Sequence, residues 1–330
     1  MSRTTLTAVT GATGHIGSNL VRGLLERGRR VRALVYEHSP ALDGLDIERV
    51  PGNVLEPVTL AQAFEGVDVV FHLAAMISIN GDPRGMVGRI NVTGTRNVAA
   101  AARAAGVRRM VHCSSIHAFD LVGATGVVDE TSARASSRRH FAYDRSKHQS
   151  EQALHEEIAR GLDAVIVNPT GVIGPFDFAP SRMGRVLIDL YHRRVPAMVR
   201  GGFDFVDVRD VVSGMLAAQE HGRTGENYIL SGRYHRVSDI ASGAYAVTGK
   251  APPAFSLPPW LVAPGVPIAA CVGKLRREEP LFTFESLRTL SYRCDVSSAK
   301  ATRELGFSAR ELPRTLHDTY SWFSSAGMIH

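Results

Sequence analysis

The chain has 330 residues, 44% of them hydrophobic and 21% charged, with 38 Lys and Arg against 32 Asp and Glu for a formal net charge of +6. A mean hydropathy near zero with that charge content excludes disorder, a collagen-like repeat and a coiled coil. Three cysteines (Cys113, Cys271 and Cys294) with no C-x-x-C pair exclude a disulfide framework and a thiolate zinc site, and fit a reducing, cytoplasmic setting.

The apolar run Leu6–Thr10 predicts a first strand, followed by a helical pattern over 16–27. It reaches glycine too soon for a signal peptide. Further strands are expected at 31–36, 67–72, 109–114 and 164–168, with helices at 57–64, 86–105 and 142–160 between them. These strand runs are rich in Val and Ile and lack in/out alternation, as a parallel sheet buried on both faces requires. Gly28, Gly66, Gly106 and Gly161 follow the four helical patterns, as C-terminal caps should. Such alternation predicts an α/β fold with a Rossmann-type, doubly wound parallel sheet.

Past residue 168 Pro and Gly become frequent. Helices at 182–193, 210–220, 238–248 and 298–305 are separated by irregular loops, which predicts a smaller, mostly helical C-terminal lobe. Strands at 205–208 and 227–230 are expected to return to the sheet. The stretch 257–273 is apolar and uncharged but carries Pro258, Pro259, Pro264 and Pro267. It is shorter than the ~20 residues of a spanning helix, so it predicts a helical segment packed on a pocket or surface; membrane contact is not expected.

The sequence Thr10-Gly11-Ala12-Thr13-Gly14-His15-Ile16-Gly17 follows the first strand at once and opens a helix. Glycines there let the backbone turn tightly and approach a pyrophosphate, while the helix N-terminus supplies N–H groups and a positive dipole. Gly11, Thr13, Gly14, His15, Ile16 and Gly17 are therefore candidate cofactor contacts. Residues 1–170 read as a dinucleotide-binding domain to which 203–232 return, and 171–202 with 233–330 as a substrate-binding lobe.

The G-x-x-G-x-x-G spacing resembles the short-chain dehydrogenase/reductase superfamily, a resemblance that demands a Tyr-x-x-x-Lys on a later helix. Tyr143-Asp144-Arg145-Ser146-Lys147 meets it. Side chains at i and i+4 share a helix face, so the Lys147 ammonium is expected to lower a phenol pKa normally near 10. Tyr143 could then exchange a proton with a carbonyl or alcohol oxygen. Ser114-Ser115 ends the 109–114 strand, at the carboxyl edge where such sheets bind ligands. The resemblance to the superfamily's extended branch assigns the catalytic hydroxyl to Ser115 and a cofactor contact to Ser114. A surface Tyr–Lys pair and a strand-capping serine are the plain alternatives.

That extended branch includes nucleotide-sugar epimerases, dihydroflavonol reductases and 3β-hydroxysteroid dehydrogenases, and the resemblance runs along almost the whole chain. It implies that Leu73, Ala74 and Ala75 of His72-Leu73-Ala74-Ala75 line the cofactor loop. Asn91 of Asn91-Val92-Thr93-Gly94-Thr95 supports that loop or a water relay. Pro169, Thr170 and Val172, after Asn168, line the nicotinamide, although Asn168 itself could simply cap a turn. Val206-Asp207-Val208-Arg209-Asp210 and Gly225-Glu226-Asn227-Tyr228 match the returning strands, and 300–307 another recurring segment.

Two places depart from the pattern. After the second strand stand Tyr36, Glu37 and His38, so Tyr36 occupies the adenosine-ribose position without the usual charge. Glu37 disfavours a 2′-phosphate, whereas His38 and Arg32 could welcome one; the Arg32–Val35 run resembles NADP-using reductases. The cofactor is thus read as NAD(P), leaning to NADP. Asn53, beside Val54, stands where an Asp often holds the adenine amine. The second departure is the pocket: Met76, Ser78, His117 and Phe176 are the substrate candidates, with Ile77, Ile79, Phe119, Met183, Phe203 and Trp260, a mostly apolar set that also suits plain core. His117 could contact substrate or pack its loop.

No H-E-x-x-H occurs, so no catalytic metal is expected. The expected function is an NAD(P)-dependent oxidoreductase that interconverts a carbonyl and a secondary alcohol on a small to medium, fairly apolar molecule. The alternatives are a nucleotide-sugar 4-epimerase or dehydratase, and a non-catalytic dinucleotide sensor. Only four of the 38 basic residues are lysines, leaving 34 arginines. Their scattered doublets fit a solvated surface better than nucleic-acid binding, and the scarcity of lysine sets Lys147 apart. The small-residue face at 99–105 suggests a homodimer in which this helix meets the Tyr143 helix across a two-fold axis.

Overall fold

The computed structural model describes residues 5–78, 81–195, 197–267, 283–290, 292 and 294–330. Ile79, Cys271, Lys274 and the end of the 257–273 stretch lie outside them. Strands β1 (Leu6–Thr10), β2 (Arg30–Val35), β3 (Glu48–Pro51), β4 (Val69–His72) and β5 (Arg109–Cys113) alternate with helices α1 (His15–Glu26), α2 (Pro57–Phe64), α3 (Met86–Gly88) and α4 (Gly94–Ala104). The short β6 (Val127–Val128) precedes α5 (Ala142–Ile158), β7 (Ala164–Pro169) and β8 (Gly171–Ile173). Next come α6 (Arg182–Tyr191), β9 (Met198–Val199), β10 (Gly202–Asp207), α7 (Val208–His221), β11 (Asn227–Leu230), β12 (Arg233–Arg236) and α8 (Val237–Thr248). Helices Ala299–Leu305 and Leu312–Ser325 close the chain.

Seven strands form one parallel sheet in the order β11-β7-β5-β4-β1-β2-β3. Successive residues of each strand feed opposite faces. Val9, Val69, Phe71, Val111, Val165 and Val167 pack with α1, α7 and Ala299–Leu305. Ala8, Val70, Met110, Ala164 and Ile166 pack with α2, α4 and α5. Both faces are covered, which is why the strands read as unbroken apolar runs. Each fully buried Val, Leu or Phe contributes about 1.5–3 kcal/mol. The order reverses at β4 and β1, and ligands of such sheets bind at the carboxyl edge of that switch point. The four helix-ending glycines all have positive φ (68°, 69°, 68° and 100°), as their capping role requires.

The structure differs from the sequence reading in three places. Strand β3 is largely exposed and ends in Pro51, so it lacks the apolar run that marked the others. The segment expected at 205–208 is β10, which pairs with β8 and β12 in a separate three-stranded sheet instead of returning to the main one. The stretch 86–105 is broken by a π-helical turn at Arg89–Thr93. The lobe's own core joins α6, α8 and Leu312–Ser325 through Leu187, Leu190, Ile240, Leu316 and Phe323.

Ala99 and Ala102 are fully buried within the chain. Helix α4 lies against α5 in the same molecule, with Arg103–Glu157 at 2.8 Å and Arg96–Glu156 at 3.4 Å. Ala99 and Ala102 of this face are thus core, whereas Ala104 and Ala105 are exposed. No helix among the described residues is long and apolar enough to cross a membrane.

Candidate active site at the sheet edge

The glycine turn is shaped by close approach. Gly11 has φ +69°, and a Cβ there would meet Ala74 N at 2.6 Å, so β1 and the loop after β4 touch backbone to backbone. A Cβ on Gly17 would lie 2.1 Å from the Gly11 carbonyl oxygen. Gly14 is different: its nearest neighbour would be Gly11 O at 3.4 Å, an ordinary contact. Packing within the chain does not demand glycine at 14. Gly14 is also the N-cap of α1 and offers no side chain to the first-turn amides, which leaves a helix N-terminus suited to an anion. This cradle fits a dinucleotide pyrophosphate. His15 bridges from it to the lobe, its Nε2–H shared between the carbonyls of Gly174 and Pro175, both at 3.1 Å.

Past the carboxyl ends of β2 and β3, Val35, Tyr36, Glu37, His38, Ser39, Leu42, Arg49 and Pro51 line a groove of about 290 Å³. Tyr36 is 75% exposed. Arg32 does not reach this groove: it sits on the amino-terminal half of β2 and donates to the carbonyls of Ala63 (3.0 Å) and Glu65 (2.7 Å). The groove's basic residues are His38 and Arg49. The Asn53 Oδ1 accepts from Leu55 N at 2.9 Å and its Nδ2 donates to Glu56 at 3.3 Å, so this amide forms a local turn. Val54 is buried among the sheet's second face.

The reacting end gathers five segments. Ser115 caps a short turn, its Oγ accepting from His117 N at 3.2 Å, and stands beside the Tyr143 phenol. Burial pushes the Tyr143 phenol above its usual value, and Ser115 opposes that shift. Lys147 is 3% exposed and donates to the Cys113 carbonyl at 3.2 Å. Burial lowers its pKa, opposed by Cys113 and Glu151. Asn91, in the π-turn and 1% exposed, clamps both polar backbone atoms of Met76 (2.7 and 3.0 Å) and donates to Ser146 Oγ at 2.8 Å. Ser146 in turn donates to the Tyr143 carbonyl at 2.7 Å. A π-bulge at a functional turn is a recurring device.

Beneath this floor His72 and His112 stack with ring centroids 5.2 Å apart. His72 lies between Thr10 Oγ1 (2.7 Å) and Thr95 Oγ1 (3.0 Å). Burial, helped by the Lys147 charge, pushes His72 down to about 3 and His112 well below its ordinary value.

Sequence reasoning missed Glu151. Its buried carboxylate accepts from Ser114 Oγ (2.5 Å), Asn168 (2.8 Å) and Asn227 (3.1 Å) and pairs with Arg134 at 3.1 Å. Asn168 also donates to the Ser115 carbonyl at 3.0 Å, so Glu151 holds the serine strand end against the Tyr–Lys helix. The spacing could have shown it: Glu151 follows Lys147 by one helical turn. Among the other candidates, Thr170 spends its hydroxyl on Asp204 at 2.6 Å. Val172 pairs with Val206, and Pro169 ends β7. Ser78 donates to Gly81 O at 2.7 Å. The Phe176 ring packs with Arg22, Phe178 and Trp322. Trp260 is largely exposed and Phe119 is core. No group of His, Cys, Asp and Glu among the described residues could hold a metal ion.

Oxidoreductases that bind a dinucleotide along the carboxyl edge of a parallel sheet are the class this crevice defines. Residues 7–231 match the model of the NAD dependent epimerase/dehydratase family, and the chain belongs to that family as an enzyme of the extended short-chain dehydrogenase/reductase type. It is 38% identical to sterol demethylase protein B of Methylococcus capsulatus (strain ATCC 33009 / NCIMB 11132 / Bath), over 98% of this chain and 99% of that one. It is 34% identical to a putative dihydroflavonol 4-reductase of Synechocystis sp. (strain ATCC 27184 / PCC 6803 / Kazusa), over 97% and 95% of the two chains. The crystal structure of gox2253 superposes with a TM-score of 0.83 at 34% identity, covering 98% of this chain and 99% of that one.

Proposed function

We propose that this enzyme reduces a ketone to a secondary alcohol, or runs the reverse, on a small to medium and fairly apolar molecule. The observation that carries the reading is the placement of Ser115 beside the buried Tyr143 phenol at the sheet edge, with the glycine cradle on the same edge. A bound nicotinamide supplies or receives the hydride. Ser115 holds the substrate oxygen, and Tyr143, kept protonated by burial, donates the proton to it as the alcohol forms. Lys147, held by the Cys113 carbonyl, would hold the sugar of the cofactor. Glu151 and Asn91 position the segments that carry these groups. Relatives named for sterol demethylation and dihydroflavonol reduction support an apolar substrate.

The groove at Tyr36 takes the adenosine end; its His38 and Arg49 both pair with Asp43 (3.6 and 3.2 Å) and Glu37 lines it too, so it accepts NAD as readily as NADP. The test is a panel of ketones and nucleotide sugars with NADH and NADPH. The reading expects one reduced nicotinamide consumed per ketone reduced. Conversion of a nucleotide sugar with no net change in nicotinamide would replace it with the epimerase reading.

A further inference from the structure

His117 has no part in the proton transfer described above, yet it is held on four sides beside it. Its Nδ1 lies 2.9 Å from Asp144 Oδ1. Its ring meets the Tyr143 ring edge-on at 5.6 Å and stacks on Phe203 at 5.8 Å with 17° between planes. Its backbone N–H donates to the catalytic serine's Oγ. Asp144 is itself fixed, since its other oxygen accepts from Phe141 N at 3.4 Å as the cap of α5. An imidazole whose Nδ1–H is held by a carboxylate presents Nε2 as an acceptor. Nε2 has no hydrogen-bond partner among the described residues, and the side chain is 20% exposed.

We propose that His117, oriented by Asp144, accepts a hydrogen bond from a hydroxyl on the carbon next to the reacting carbonyl, so that α-hydroxy ketones are the preferred substrates. This rests on the oxidoreductase reading and adds the substrate class. Ser115 and Tyr143 share the carbonyl oxygen; His117 stands against both of them and reads the neighbouring position. A site that hydrogen-bonds a substrate hydroxyl discriminates against the analogue without it, because binding the analogue shields Nε2 from water and gives it no partner.

The experiment compares an α-hydroxy ketone with its deoxy analogue in the full-length enzyme, using NADH or NADPH. The wild type is expected to favour the hydroxy compound by about tenfold or more in kcat/KM. His117→Phe, which keeps the aromatic stack on Phe203, should bring that ratio to about one while deoxy turnover stays within about threefold. His117→Gln keeps a hydrogen-bonding head and should hold an intermediate ratio, which guards against a folding artefact. A wild-type ratio near one, an unchanged ratio in both variants, or equal losses on both ketones overturns the proposal. Turnover of the deoxy ketone in that case leaves the oxidoreductase reading standing; no turnover of either ketone sinks both.

Discussion

The glycine turn and the proton-transfer centre lie along one sheet edge but are built by opposite means. The turn is seven consecutive residues whose shape comes from backbone contact, Gly11 against Ala74 and Gly17 against Gly11. The reacting end draws Met76, Asn91, Ser115 and Asn168 from four segments onto the helix that carries Tyr143, Lys147 and Glu151, and joins them by buried side-chain hydrogen bonds. At Gly11 and Gly17 the backbone cradle tolerates no added atom. A side-chain network tolerates small changes but loses charge balance when one member goes.

Substitutions can break this comparison, and the largest effect is expected at the turn. Gly17→Ala places a methyl group 2.1 Å from a carbonyl oxygen, so the backbone must move. Dinucleotide affinity should fall by about 100-fold with a stability loss of about 3 kcal/mol, measured by titration and urea unfolding. Glu151→Gln should cost less, about 2 kcal/mol, because it leaves Arg134 without its carboxylate but Arg134 is partly exposed. Its kcat should fall more than its dinucleotide affinity, which would show that the two ends are separable.

The third effect depends on pH. His72 is neutral in the folded state down to about pH 3 but takes a proton near 6.5 when unfolded. The unfolded state therefore binds more protons, and stability present above pH 6.5 is lost as pH falls toward 3. By pH 5 this amounts to about 2 kcal/mol for His72. His72→Asn should reduce the fall of the unfolding midpoint between pH 6.5 and 4, with the buried His112 supplying the part that remains, after allowing for the variant's own loss at pH 7. The smallest effect is expected of Asn53→Ala, about 0.5–1 kcal/mol for a lost turn. Dinucleotide affinity should stay within about twofold, and a tenfold weakening would instead place Asn53 on the adenine.

Legibility in the sequence follows the same division. The glycine turn was readable because its residues are contiguous and sit between a strand and a helix. Tyr143 and Lys147 were readable because one helical turn separates them. Glu151 lay a further turn along, but its partners Ser114, Asn168, Asn227 and Arg134 come from four other places, and no local pattern joins them. Arg32 failed as a phosphate ligand because strand position, not residue type, decides which edge a side chain reaches. Strand β10 was seen as a strand but given to the wrong sheet, since its apolar run does not say which neighbour it pairs with. The histidine pair His72 and His112 shows the same limit: two separate strands place them together.

The central claim is that Tyr143 moves the proton and that the glycine turn binds the dinucleotide independently of it. Tyr143→Phe, assayed for kcat on a reduced ketone and for dinucleotide Kd in parallel, tests this most directly. The account predicts a fall of about 10³ in kcat with Kd within about threefold of wild type. A kcat within tenfold of wild type, or a Kd that weakens as much as kcat falls, would contradict it.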